Sequence, residues 1–201
     1  MSALKDQYYQ FHDWLFRKLK HLSGIPPLLF RILLFFPLYE AGTRKFANFE
    51  STAEWFGNSE WGLGLPFPEV MTFLAASAET VGAVLILVGF ATRWAAIPLM
   101  ITMLVAAFTV HWDNGWFAIA QSADPEVANR LEKGREILQQ HGNYDWLTGK
   151  GSFVILQNGI EFAASYFIML LSLFFSGGGR YFSIDYWLNR AFANHKTELS
   201  Y

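Results

Sequence analysis

The chain of 201 residues contains no cysteine, few charged residues and no surplus of positive charge. The absence of cysteine excludes disulfides, thiol catalysis and thiolate-ligated metal or iron–sulfur sites in this chain. A net charge of −2 gives no overall basic field, so we expect no nucleic-acid partner. Residues 1–24 also lack the short apolar core and small-residue cleavage site of a secretory signal peptide.

Apolar residues are abundant and are grouped in long runs. Hydrophobic residues make up 53% of the chain and charged residues only 16%, which is low for a soluble protein. Four runs stand out, at about residues 28–46, 67–90, 94–112 and 153–175. At about 1.5 Å per residue, runs of this length suit a ~30 Å hydrocarbon layer, where every backbone polar group needs an internal partner. We therefore predict one all-α domain, a four-helix transmembrane bundle in a lipid bilayer.

Amphipathic segments flank the predicted spans. In residues 1–24 one helical stripe is apolar and the basic residues lie off it, which is typical of an interfacial helix; a soluble helix packed on a partner is the alternative. Ser183 is a good N-cap for a second interfacial helix near the C-terminus. Residues 113–152 form a loop insert, in which Asp124-Pro125-Glu126 predicts the start of a helix.

The distribution of lysine and arginine predicts the orientation of the spans. On the side of both termini lie Lys5, Arg17, Lys18, Lys20, Arg93, Arg180, Arg190 and Lys196. The insert on the opposite side carries more acidic than basic residues. Because short basic flanks favour the cytoplasmic side, we expect cytoplasmic termini and a periplasmic insert. Arg31, near the start of the first run, is expected to snorkel to the surface.

Spaced motifs recur through residues 28–115. They are Gly42-x-x-Lys45, Glu79 with Val81-Gly82, Gly89-x-x-Thr92-Arg93, Met103-x-Val105-Ala106 and Val110-His111. This pattern resembles the DoxX family of small bacterial inner-membrane proteins. The resemblance implies a four-helix bundle of the inner membrane. It also implies a redox setting, because the DoxX/DoxD group is similar to the small subunit of a thiosulfate:quinone oxidoreductase, and other members are described as partners of redox enzymes.

The insert carries a narrower resemblance. The run His141-Gly-Asn-Tyr-Asp-Trp-Leu-Thr, with Gly151-Ser-Phe after it, resembles a long-loop DoxX subgroup encoded near iron enzymes that modify copper-related peptides. This resemblance implies a partner protein in a peptide-maturation system.

Three carboxylates lie at a similar depth on three predicted spans. From the cytoplasmic edge, Glu40 lies at ~18 Å, Glu79 at ~16 Å and Glu161 at ~22 Å, at about 1.5 Å per residue. Carboxylates that lie close together in a medium of low dielectric constant cannot all ionise without a large cost in free energy. A histidine at the periplasmic end of the bundle can exchange protons with water. The candidate catalytic residues are therefore Glu40, Glu79, Glu161 and His111, and the candidate cofactor-binding residues are Lys45, Arg93 and Asn158.

Several interpretations of these residues stay open. Glu40 could pair locally with Arg44, and Glu79 with Lys45 or a threonine, without any further role. No His-x-x-x-His or Glu-x-x-His pair is present, so we assign no metal site. The favoured function is an accessory redox subunit that binds quinone or a redox partner, and any enzymatic role would be as a subunit of a quinone-linked oxidoreductase. The alternatives are an accessory protein of peptide maturation or copper and metal stress, and a small proton-coupled transporter; homo-oligomers are compatible with each.

Overall fold

The computed structural model describes residues 2–198, and the side chains of residues 5–192. These residues form two compact units, residues 2–102 with 166–198, and residues 103–165. The all-α prediction is confirmed, because nine α-helices and no strand are found among residues 2–198. Within the second unit, an isolated antiparallel bridge pairs Ile119 with Leu156.

The helices follow one another with short connections. They are α1 Ser2–Leu19, α2 Ile25–Ala47, α3 Phe49–Gly57, α4 Pro68–Val88, α5 Thr92–Val105, α6 Pro125–His141, α7 Tyr144–Thr148, α8 Glu161–Ser176 and α9 Ile184–Glu198. Helix α5 continues as a π-helical segment, Ala106–His111, and a 3₁₀ turn, Trp112–Asn114. Helices α1 and α9 therefore form where the terminal amphipathic segments were predicted.

Among residues 2–198, three helices are long and apolar enough to cross a membrane. They are Ile25–Ala47, Pro68–Val88 and the continuous helical stretch Thr92–Asn114. The chain is therefore a multi-pass membrane protein. A fourth apolar helix, α8, has 16 residues and falls below the length of these three.

The start of the fourth predicted span needs correction, because α8 begins at Glu161 and not near Phe153. Asn158 has a positive φ of 59°, which a helix does not accommodate. The Cα of Gly159 lies so close to the backbone of residues 115–117 that a Cβ there would be 2.5 Å from Gly115 O and 2.6 Å from Phe117 O. The backbone before α8 is thus held against residues 115–120 and cannot continue the helix.

Helices α2 and α4 pack closely through small residues. A Cβ on Gly42 would lie 2.6 Å from the Thr80 nitrogen and 3.0 Å from Ala76 O, so only glycine allows this approach. On the other side of α4, a Cβ on Gly82 would lie 3.1 Å from Leu99 of α5. Apolar tails of lipid give no hydrophobic driving force between helices, so this close packing is what holds them together.

The buried face of α4 consists mostly of small residues. It comprises Thr72, Ala76, Glu79, Gly82, Ala83 and Ile86. The helix ends at Gly89, whose φ of 67° is the left-handed conformation that ends many helices. Only residues 90 and 91 separate Gly89 from the start of α5, so the turn between these two helices is tight.

The second unit contains the insert helix α6. Its predicted N-cap is confirmed, since the Asp124 side chain accepts a hydrogen bond of 2.8 Å from the Glu126 nitrogen. Leu131 is buried, and Gly134 lies against Phe153, where a Cβ would be 2.9 Å from the ring. Phe153, directly after the insert, therefore packs against its central helix.

Candidate functional site

A buried ion pair joins α2 and α4 in the first unit. The Lys45 ammonium donates to Glu79 Oε2 at 2.6 Å, and the two side chains are 24% and 6% exposed. Helix α2 presents Lys45 in its last turn, and α4 presents Glu79 near its middle. Because ionisable side chains inside membrane-spanning helices are costly, they are found mainly where they bind or transport something.

Two hydroxyl groups on the same helix have no hydrogen-bond partner among the described residues. They are Thr72 Oγ1 and Thr80 Oγ1, and both atoms are buried. Thr80 lies against Gly42, one helical turn from Lys45, and Thr72 lies two turns from Glu79 on the buried face of α4. A buried polar group without a partner costs about 1–3 kcal/mol, so these two hydroxyls are unfavourable for folding as they stand.

Glu40 lies in a different environment from Glu79. Its carboxylate accepts from Arg44 Nη2 at 2.6 Å, and the two side chains are 62% and 75% exposed. The local pairs Glu40–Arg44 and Glu79–Lys45 are therefore both present, and each carboxylate has its own base. Exposed pairs one helical turn apart contribute only about 0.3–0.5 kcal/mol, so Glu40 is a useful comparison for Glu79.

His111 and Asn158 meet within the second unit. His111 Nδ1 lies 2.8 Å from Asn158 O, and Asn114 Nδ2 donates to the same carbonyl at 3.2 Å. A carbonyl only accepts, so His111 carries a proton on Nδ1. The histidine closes the π-helical segment Ala106–His111, a local geometry that is frequent at functional sites.

Glu161 also has a partner within the second unit. Its Oε2 accepts a hydrogen bond of 3.0 Å from the Ala118 nitrogen, which ties the start of α8 to the loop after α5. Within residues 2–198, no group of three or more His, Asp or Glu side chains is placed to hold a metal ion. The coupling of Glu40, Glu79 and Glu161 into one protonatable cluster stays a prediction.

Arg31 is buried, and the prediction that it snorkels to the surface was wrong. It is 1% exposed and donates to Ile86 O at 2.7 Å, to Gly178 O at 2.8 Å, to Phe182 O at 3.0 Å and to Leu87 O. The carbonyls at the end of a helix have no partner within it, and Arg31 satisfies two of them at the end of α4. Gly89 makes room, because a Cβ there would lie 2.8 Å from the guanidinium carbon.

Asp185 closes the same end of the first unit, and the sequence interpretation did not single it out. Its carboxylate accepts from the Ala91 and Thr92 nitrogens at 2.7 and 2.9 Å, and its own nitrogen donates to Gly89 O at 2.9 Å. The sequence does place an acid in the first turn of α9, two residues after its N-cap Ser183. An acid at that position is expected to stabilise α9 itself. Its hydrogen bonds to the start of α5 join distant parts of the chain, and the sequence pattern does not indicate them.

Arg93 lies at the same end of the first unit as Asp185, far from Lys45. Its Nη2 donates to Phe175 O at 3.0 Å, and its neighbour Thr92 begins α5. Along α2, 14 residues separate Arg31 from Lys45, which is about 21 Å of helix. The first unit therefore brings Lys45 and Glu79 together and leaves Arg93 near the level of Arg31.

Comparisons with known proteins bear on the same part of the chain. Residues 27–112 match the model of the DoxX family. Over 86 residues the chain is 33% identical to a Bacillus subtilis (strain 168) protein named "Putative oxidoreductase CatD", and the match covers 43% of this chain and 60% of that relative. The match thus spans less than two thirds of the relative's length, and no solved structure matches the chain. The resemblance to the DoxX family is confirmed over residues 27–112, and this stretch contains both Lys45 and Glu79.

Proposed function

We propose that the protein is an accessory membrane subunit of a redox system and that the Lys45–Glu79 pair holds a quinone headgroup. The observation that carries the proposal is a 2.6 Å ion pair buried between two spanning helices, with unpartnered hydroxyls on the same helix face. The name of the Bacillus subtilis relative, an oxidoreductase, supports the redox setting.

The residues present fit the polar end of a quinone. An ammonium group has three donors, and one of those of Lys45 is used by Glu79, so others remain for a carbonyl oxygen. The hydroxyls of Thr72 and Thr80 offer two further donors without a partner. A bound quinone would supply the electron-accepting chemistry, with electrons from a partner enzyme. Glu79 would hold a proton beside the headgroup, and Lys45 would orient it.

Quinone content of the purified protein tests this proposal. We expect Glu79→Gln to lower the co-purifying quinone at least tenfold, because the amide keeps the shape of the side chain but carries no charge and cannot take up a proton. Glu40→Gln is the matched control, since Glu40 is exposed and paired with Arg44, and it should keep the wild-type content. Both variants are purified in mild detergent and the quinone is quantified per chain by mass spectrometry. Equal quinone content in the two variants would contradict the proposal, provided both remain folded.

An alternative function is supported by the insert. Trp146, Leu156 and Ile137 expose large apolar side chains within the second unit, which suits contact with a partner protein. If the protein supports peptide maturation or metal stress through this insert, the same preparations should contain a partner protein whose recovery does not change in Glu79→Gln.

We further propose that the protein lies in the bacterial inner membrane with both termini in the cytoplasm. The lysine and arginine distribution supports this orientation. Because the chain has no native cysteine, single cysteines introduced at Ser2 and Ser122 report without background. A membrane-impermeant thiol reagent should label the Ser122→Cys variant in intact cells, and the Ser2→Cys variant only after permeabilisation. Labelling of both in intact cells would overturn the orientation.

A further inference from the structure

A cavity of about 700 Å³ lies at the end of the first unit that Arg31 and Asp185 close. Its walls are the turn before α5, with Thr92, Arg93 and Trp94, and the glycine-rich segment 177–180. The Lys45–Glu79 pair does not line it, so the cavity has no part in the function proposed above.

Two arginines on the cavity wall have donors to spare. Arg93 uses one nitrogen for Phe175 O, and Arg180 lies over the Tyr181 ring at 5.6 Å from its centroid. A guanidinium has five N–H donors, so most remain for a ligand. Planar guanidinium groups match the oxygens of a phosphate in pairs, and they bind it more specifically than a point charge does.

Asp185 also lines the cavity, and its carboxylate already accepts hydrogen bonds from the backbone. Its two oxygens accept from the Ala91 and Thr92 nitrogens, so the carboxylate lies at the start of α5. Arg31, packed behind the glycine-rich segment through Gly178 O and Phe182 O, offsets this charge. The two arginines of the wall therefore leave the cavity positive.

The cavity wall also contains a buried polar group without a partner. Thr92 is fully buried, and its Oγ1 has no hydrogen-bond partner among the described residues. A Cβ on Gly178 would lie 2.7 Å from this hydroxyl, so the backbone of Gly178 packs directly against it. Gly177 has a φ of 75°, which other residues adopt only with strain. The hydroxyl thus lies against the glycine-rich wall of the cavity and does not itself reach solvent.

We propose that this cavity binds the phosphate group of an anionic ligand, through Arg93 and Arg180. The cavity lies where α4 ends and α5 begins, which is the level of the lipid headgroups for a spanning pair of helices. Trp94 on its rim is 77% exposed, as is typical of side chains at a membrane interface. The phosphate belongs either to an anionic phospholipid headgroup or to a soluble phosphate ester.

Binding of phosphatidylglycerol to the full chain tests the site. Native mass spectrometry of the detergent-purified protein should show about one tightly bound phosphatidylglycerol. The double variant Arg93→Gln/Arg180→Gln should bind it at least tenfold more weakly, and each tenfold loss corresponds to about 1.4 kcal/mol. Arg190→Gln is the matched control, because Arg190 lies on α9 over the Trp187 ring and does not line the cavity. Arg93→Lys/Arg180→Lys, which keeps both charges, should retain part of the binding.

The outcomes separate the two sources of phosphate. Displacement of the lipid by excess inorganic phosphate or glycerol 3-phosphate assigns the site to a soluble phosphate ester. Retention of phosphatidylglycerol under the same excess, with phosphatidylcholine bound more weakly, assigns it to a lipid headgroup. Equal lipid binding by Arg93→Gln/Arg180→Gln and Arg190→Gln, both with wild-type thermal unfolding, overturns the proposal. The quinone content of either variant is not expected to change.

Discussion

Arg31→Met is expected to lower the free energy of unfolding by about 3–5 kcal/mol. The wild-type guanidinium satisfies four backbone carbonyls, on residues 86, 87, 178 and 182. Methionine fills a similar volume but donates no hydrogen bond, so all four carbonyls lose the hydrogen bond from Arg31, and within residues 2–198 only Ile86 O keeps another, from the Gly89 nitrogen. The same contacts join the end of α4 to the glycine-rich segment, and we expect both elements to loosen together.

Unfolding by sodium dodecyl sulfate in mixed micelles measures this loss. Arg44→Met is the control on the same helix, because that side chain is 75% exposed and its removal should cost less than about 1 kcal/mol. Arg31→Lys should fall between wild type and Arg31→Met, because one ammonium cannot reach the carbonyls that a planar guanidinium reaches. If Arg31→Met and Arg44→Met unfold alike, Arg31 does not hold this end of the protein together.

Lys45→Met is expected to cost about 3 kcal/mol, because it leaves the carboxylate of Glu79 buried without its partner. This cost is at the lower end of the range for breaking a buried ion pair, since the Lys45 side chain is 24% exposed and water can reach it in part. The double variant Lys45→Met/Glu79→Met should return to within about 1 kcal/mol of wild type, because replacing a buried pair by apolar side chains is often neutral.

The double variant also separates stability from function. If the ion pair exists to bind a quinone, Lys45→Met/Glu79→Met is stable and carries no quinone. If the pair only joins α2 to α4, its quinone content equals that of wild type. A double variant as unstable as Lys45→Met would show that the loss has another cause, such as tight packing around Gly42.

The spans and the environment of Glu79 could be predicted from the sequence because both depend on local pattern. Long apolar runs form helices in lipid, and the small residues around Glu79 indicate which face of α4 packs against other helices. The sequence indicates Lys45 only as one of several partners for Glu79, because the spacing of residues within one helix does not show which residues of another helix they contact. The ion pair became visible once α2 and α4 were placed side by side.

Other features depend on contacts that sequence spacing does not contain. Arg31 stands near the end of an apolar run, where snorkelling is the usual outcome, and its burial follows from carbonyls supplied by residues 55 and more positions away. The late start of α8 follows from pairing of residues 155–161 with residues 115–120. A hydropathy pattern cannot show either contact, because apolar residues continue through Phe153–Leu156 without a break.

The length of α8 has a consequence for the surrounding bilayer. Sixteen residues rise about 24 Å, some 6 Å less than a typical hydrocarbon thickness. If α8 alone crosses the hydrocarbon layer, the adjacent lipid thins to match its length. Such hydrophobic mismatch costs fractions of a kcal/mol per Å, and it favours short-chain lipids on that side of the molecule over the lipids around the longer α2 and α4.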